Sequence, residues 1–143
     1  MELNLINNKH IPDLYLNGSI SQRQDLLQGL MDTDGTVCKK GSVSFSTSNP
    51  TLRDGFFRLA RSLGYKPVYR TVKTKCKDSY QITFTAYSEF PVFKLKRKLE
   101  RMSSENNPKN RVSESKRRRI INVEKIDSVP VKCIGVNSPD NLY

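Results

Sequence analysis

The chain has no tryptophan, one histidine and three cysteines among its 143 residues. Cys38, Cys76 and Cys133 are widely separated, odd in number and form no CxxC pair. That pattern excludes a structural zinc site of the usual spacing and a disulfide framework, and it fits reduced thiols in a cytoplasm. His10 stands alone near the start, so a Ser-His-Asp triad is disfavoured. No run is long and apolar enough to span a bilayer. The first residues, Met1 to Asn7, lack the basic start and apolar core of a signal peptide. A cytoplasmic protein of a microbial or phage host is expected, without a membrane partner. Apolar residues make up 36% and aromatics 8%, lean but too rich for a fully disordered chain. Acidic residues are also scarce. Against 25 Lys and Arg stand 14 Asp and Glu, leaving a net charge of +11. A polyanionic partner follows, nucleic acid before an acidic membrane surface.

The length suits one domain with a short appendage, since domains usually run roughly 50–250 residues. The charge is concentrated. Between Lys94 and Arg119, eleven basic residues face Glu100, Glu105 and Glu114, so this segment alone carries +8. A solvated helix end followed by a polar loop is the plain explanation. A phosphate-contacting stripe is the functional one, because clustered cations release counterions from a nucleic-acid backbone. Three parts are expected: 1–104 as a folded domain, 105–119 as a basic linker, and 120–143 as a separate segment.

Residues 8–17 predict an extended lead-in. Ser19 and Ser21 offer caps for a helix in which Leu26, Leu27, Leu30 and Met31 recur at helical spacing. It ends near Asp34-Gly35, as glycine favours the C-terminal turn. Thr36 to Thr47 predicts two short strands around Lys40-Gly41. Val43 and Phe45 alternate with Ser42, Ser44 and Ser46, the period of a half-buried strand. Asn49-Pro50-Thr51 opens a second helix with Phe56, Leu59, Ala60 and Leu63 on its apolar face, stopped by Gly64. Strands are expected over 66–75 and 79–86. A third helix is expected over 89–102, with Phe90, Phe93 and Leu95 turned inward. Ile120–Val123 and Val129–Val136 are β-rich.

The segment carrying chemistry is Leu26-Leu27-Gln28-Gly29-Leu30-Met31-Asp32-Thr33-Asp34-Gly35. An apolar helix ends by presenting two carboxylates. An ordinary capped helix end is the plain alternative, but the macrodipole makes acids unfavourable at that terminus. A divalent cation offsets the repulsion, and Mg²⁺ takes one or two carboxylates plus phosphate and water. Beside a basic surface, this suggests metal-dependent phosphodiester chemistry.

Gln28 to Gly35 resembles the LAGLIDADG motif of homing endonucleases. Lys9-His10-Ile11-Pro12-Asp13-Leu14-Tyr15-Leu16 is similar to the block preceding the second motif in intein-embedded members. Together with the element order, the resemblance covers about residues 8–102. It implies an α+β, αββαββα half-fold with a saddle-shaped antiparallel sheet, plus a short β-rich C-terminal tail. It implies a divalent-metal-dependent, sequence-specific double-strand DNA endonuclease, with Mg²⁺ held by Asp34. Asp32 matches the earlier motif aspartate, a metal-site candidate with a more structural role. Leu27, Gly29 and Leu30 would pack against a second motif helix, where Gly29 lets the backbones approach. Asn49 and Arg53 match positions that place water and phosphate around the metal. The family's lysine near the active site matches Lys98 or Lys96, depending on alignment. The sheet would read DNA through Ser42, Ser44, Ser46, Ser48, Arg70, Lys73, Lys75, Gln81 and Thr83. Lys94, Arg97, Arg117, Arg118 and Arg119 add phosphate contacts.

The segment 122–143 resembles the penultimate splicing block of inteins, with Cys133 at a position that assists splicing. A small buried strand residue is its plain alternative. A terminal His-Asn and the N-terminal splicing half are not in the sequence, so splicing by this chain alone is not expected. One motif does not complete a two-motif site. Either two copies pair as a homodimer on a pseudo-palindromic site, or a separate N-terminal intein fragment supplies the other half. The competing functions are a degenerate DNA-binding or RNA-maturase-like module without cleavage, and the C-terminal fragment of a split intein.

Overall fold

A computed structural model of the chain describes residues 3, 5–37, 42–75, 77–86, 90–103 and 120–132. Within the expected extended lead-in, a single helical turn forms, α1 (Asp13–Leu16), which tucks Leu16 into the core. The long helix α2 (Ile20–Asp34) starts where the serine cap predicts. Ser19 Oγ accepts from the Gln22 N–H, and Gln22 Oε1 accepts from the Ser19 N–H, a reciprocal capping box. The strands β1 (Gly35–Val37) and β2 (Ser42–Thr47) follow, then α3 (Pro50–Ser62), β3 (Val68–Val72), β4 (Ser79–Thr85) and α4 (Lys96–Ser103). After the α1 turn this is the αββαββα order.

The four strands form one antiparallel sheet in the order β1-β2-β4-β3. Pairing is local within each hairpin, and the two hairpins join through β2 and β4. Period-2 alternation sorts the faces. Val43, Phe45, Ile82 and Phe84 point to one side and are buried. There α3 covers them, with Phe56 stacked on Phe45 at a centroid distance of 4.1 Å. Ser46, Gln81, Thr83 and Arg70 occupy the opposite face.

Two expected boundaries shift. β3 starts only after Pro67 and stops at Val72, so Lys73 and Lys75 lie in the turn beyond it. The third helix spans 96–103 rather than 89–102. Pro91 lacks a backbone N–H and disfavours helix at Phe90. The 90–95 stretch is irregular instead, with Phe93 buried but Phe90 61% and Leu95 40% exposed, so these two do not turn inward. The expected strand at 120–123 and the start of that at 129–136 are absent among the described residues. Residues 120–132 form neither helix nor strand and are exposed throughout. Residues 133–143, with Cys133, lie outside the described residues, as does the whole 105–119 linker with Arg117, Arg118 and Arg119.

Candidate nuclease site at the end of α2

Asp32 and Asp34 occupy the last turn of α2 and have different surroundings. Asp32 is half-buried, and its carboxylate accepts from the backbone N–H of Lys94 (3.2 and 3.1 Å) and of Leu95 (3.2 Å). It caps the approach to α4. Asp34 is exposed, and among the described residues its carboxylate accepts no hydrogen bond.

The stretch 90–98 is strapped along α2 from end to end. Gln24 and Gln28 both donate to the Pro91 carbonyl, at 2.9 and 2.7 Å. Lys94 Nζ meets Asp25 at 2.6 Å. Gln28 thus points its amide into its own chain, not toward a partner helix. Lys98 closes the strap. It is 9% exposed, and its ammonium donates to the carbonyls of Met31 (2.8 Å), Asp32 (2.8 Å) and Gly35 (2.6 Å). Burial pushes its pKa below the ordinary lysine value, helped by the nearby charge of Arg97 and opposed by Asp32 and Asp34. Lys96, the alternative lysine, is exposed at the first position of α4.

The motif glycine serves a purpose other than the expected one. Gly35 has φ −86° and ψ 152°, extended backbone open to any residue. What it provides is space. A β-carbon there would lie 2.5 Å from the Met31 carbonyl oxygen and 2.8 Å from its Cα. Gly35→Ala is expected to cost about 1–3 kcal/mol by forcing the helix end off its strand. Urea denaturation of the two proteins measures this.

Gly29 presents the reverse situation. It is exposed, and a β-carbon there would meet nothing within 4 Å. Asp25 and Thr33 share its open face, with Leu26 and Leu30 half-buried at the margin. Leu27 does not belong to this face, because it is fully buried in the chain's own core. A helix burying Leu27 and Met31 inward turns the residue two positions on, Gly29, outward.

A model of the homing endonuclease family matches residues 10–118. The chain belongs to the homing endonuclease family. It is also 36% identical over 144 residues to the replicative DNA helicase DnaB of Mycobacterium intracellulare. That match covers 99% of the chain and 25% of the helicase, so the chain spans about a quarter of this relative's length.

In this homing endonuclease chain the remaining candidate residues are dispersed. Asn49 caps α3: its Oδ1 accepts from Thr51 (2.8 Å) and Leu52 (3.1 Å), and its Nδ2 donates to the Lys9 carbonyl. Arg53 lies on the helix side of the sheet, 5.0 Å from the Tyr69 ring and 4.4 Å from the Tyr80 ring. It pairs with Asp54 at 2.7 Å, a hydrogen bond that raises the Arg53 pKa and lowers that of Asp54. Tyr69 belongs to β3, the edge opposite β1, so Arg53 is not brought to Asp34.

The polar sheet face is continuous with the acid. Asp34 is followed directly by Gly35, which opens β1 opposite Phe45; next to Phe45 on β2, exposed Ser46 pairs with Gln81, which pairs with Arg70. Arg70 Nε donates to Gln81 Oε1 at 2.9 Å. A second row holds Thr36, Ser44 and Thr83. Here Ser44 is only 3% exposed and bonds Thr36 at 2.7 Å, so Thr36, which sequence reasoning passed over, is the accessible partner. Ser42 is half-buried, and Ser48 is exposed beyond the end of β2. Lys94 and Arg97 are exposed beside the acid end, while Lys73 pairs with Asp78 at 3.0 Å. No group of three or more His, Cys, Asp or Glu converges among the described residues.

Proposed function

We propose that the chain is one half of a LAGLIDADG-type, sequence-specific, divalent-metal-dependent endonuclease for double-stranded DNA. The observation that carries this reading is Asp34, an exposed carboxylate at a helix C-terminus, separated only by Gly35 from the polar sheet face that Thr36 joins. A carboxylate at the negative end of a macrodipole is disfavoured by about 0.3–1 kcal/mol, a cost that a bound cation offsets. One free carboxylate fits half of a Mg²⁺ site, because Mg²⁺ binds through one or two carboxylates with phosphate and water completing its shell. When bound, the cation would polarise the scissile phosphate and lower the pKa of its water. Asp34 would hold it, while Asp32 keeps the supporting loop in place. Ser46, Gln81, Thr83 and Arg70 are hydrogen-bonding groups suited to base edges and phosphates.

The second half of the site would come from the open face of α2 around Gly29. We favour a homodimer, since symmetric dimers are the commonest oligomers. A separate N-terminal intein fragment is the other source. The match to part of a longer helicase chain and the splicing-block resemblance at 122–143 support an intein context. A non-cleaving DNA-binding module is the second reading. The internal engagement of Asn49, Arg53 and Lys98 favours it.

Cleavage selection on a randomised duplex library, with Mg²⁺ and with EDTA, tests the proposal. Magnesium-dependent cutting at one long, near-symmetric sequence is expected. Binding without cutting under either condition would move the assignment to the second reading. Gly29→Leu should leave the fold intact, since the side chain enters open space. It should abolish self-association in sedimentation and cutting together, and an unchanged dimer would reject this face as the interface.

A further inference from the structure

We infer that Lys98 is a positioning residue that acts through the helix end bearing Asp34, and that it does not itself touch water or phosphate. This rests on the nuclease reading above for its functional consequence, but not for its structural part. A lysine ammonium has three N–H donors and no acceptor. All three are matched, by the carbonyls of Met31, Asp32 and Gly35 at 2.6–2.8 Å. The ammonium also lies over the ring of buried Phe93, 5.3 Å from Nζ to the centroid, which helps close it off from solvent. No donor is left for a reacting atom, and the group is all but closed to solvent.

The arrangement is reciprocal. Asp32 of α2 caps the N–H groups that lead into α4, and Lys98 of α4 caps the carbonyls that end α2. Carbonyls in a last helical turn carry the negative end of the macrodipole. A cation placed there both neutralises that potential and stops the turn from fraying. Asp34 projects from the turn so fixed. Its carboxylate would therefore be presented to a metal ion from a fixed direction.

The test separates cap from catalyst. Wild type, Lys98→Met and Lys98→Arg are compared in DNA cleavage against Mg²⁺ concentration, and in amide hydrogen exchange at Gly35, whose N–H bonds the Met31 carbonyl. Lys98→Met should raise the Mg²⁺ half-saturation about 10–100-fold, the range for residues that orient metal ligands. Turnover at saturating Mg²⁺ should stay close to wild type, and Gly35 exchange should accelerate. Lys98→Arg, which keeps the charge, should recover much of both. Lost turnover at an unchanged half-saturation would overturn the inference in favour of direct catalysis. Unchanged Gly35 exchange in Lys98→Met would overturn it whatever the cleavage result. If wild type cuts no DNA, the nuclease reading fails, and the exchange measurement alone decides the cap. Should Lys98→Met not fold by circular dichroism, Asp32→Asn takes its place. It loosens the other half of the clamp and must raise the half-saturation likewise, or the inference falls.

Discussion

Asp34→Asn is expected to abolish Mg²⁺-dependent cutting while leaving specific DNA binding and thermal stability near wild type. A bound cation supplies several kcal/mol of transition-state stabilisation, so losing its anchor corresponds to about a thousandfold or more in rate. Stability should hold because the Asp34 carboxylate makes no hydrogen bond among the described residues, and relieving a carboxylate at a helix C-terminus is mildly favourable. Asp32→Asn is the contrasting case. Its carboxylate accepts from two backbone N–H groups, so that change should lower stability and raise the Mg²⁺ half-saturation without abolishing cutting at saturating Mg²⁺. Gel-shift and cleavage assays on the selected site, run beside melting curves, distinguish the two aspartates. Cutting by Asp34→Asn at the wild-type rate would remove the metal role assigned to it.

Phe56→Ala is the substitution expected to damage the fold most. The ring is fully buried, stacked on Phe45 at 3° and tilted against Phe84 at 6.2 Å. Emptying it removes the joint between α3 and the sheet, at about 3–5 kcal/mol for a large buried aromatic. Domains of this kind are held by only about 5–15 kcal/mol in total. Urea denaturation should show a midpoint shift of that size, and DNA binding should weaken through loss of the folded fraction. A midpoint within error of wild type would mean that α3 is not the sheet's principal support.

What could be foreseen from the residues divides along a physical line. α2, α3 and the β2 strand were legible because each carries its own periodicity and its own cap: Ser19, Asn49-Pro50, and the Val43/Phe45 alternation. The strap from 90 to 98 was not. It is held by side chains more than sixty positions away, from Gln24, Gln28 and Asp32, and no local pattern encodes such bonds. Only Pro91 hinted that the helix begins late. Arg53 failed as a neighbour of Asp34 for a related reason. Its place follows from the strand order β1-β2-β4-β3, which sets β3 at the far edge, and strand order is a property of the assembled sheet. The place of Asp34, exposed at the end of α2, was legible because the apolar helix pattern stops just before it.

The junction between α2 and β1 has a geometric corollary. Asp34 ends the helix, and Thr36, two residues later, already faces the polar side of the sheet, locked by its bond to Ser44. Only Gly35 separates them, and Gly35 has no room to lengthen or swell. The junction therefore works as a ruler with a single graduation. On the nuclease reading proposed above, exchanging Ser46, Gln81, Thr83 or Arg70 would change which bases are preferred but not where the strand is broken relative to them. A shifted cut would require an insertion at Gly35, the position the packing tolerates least.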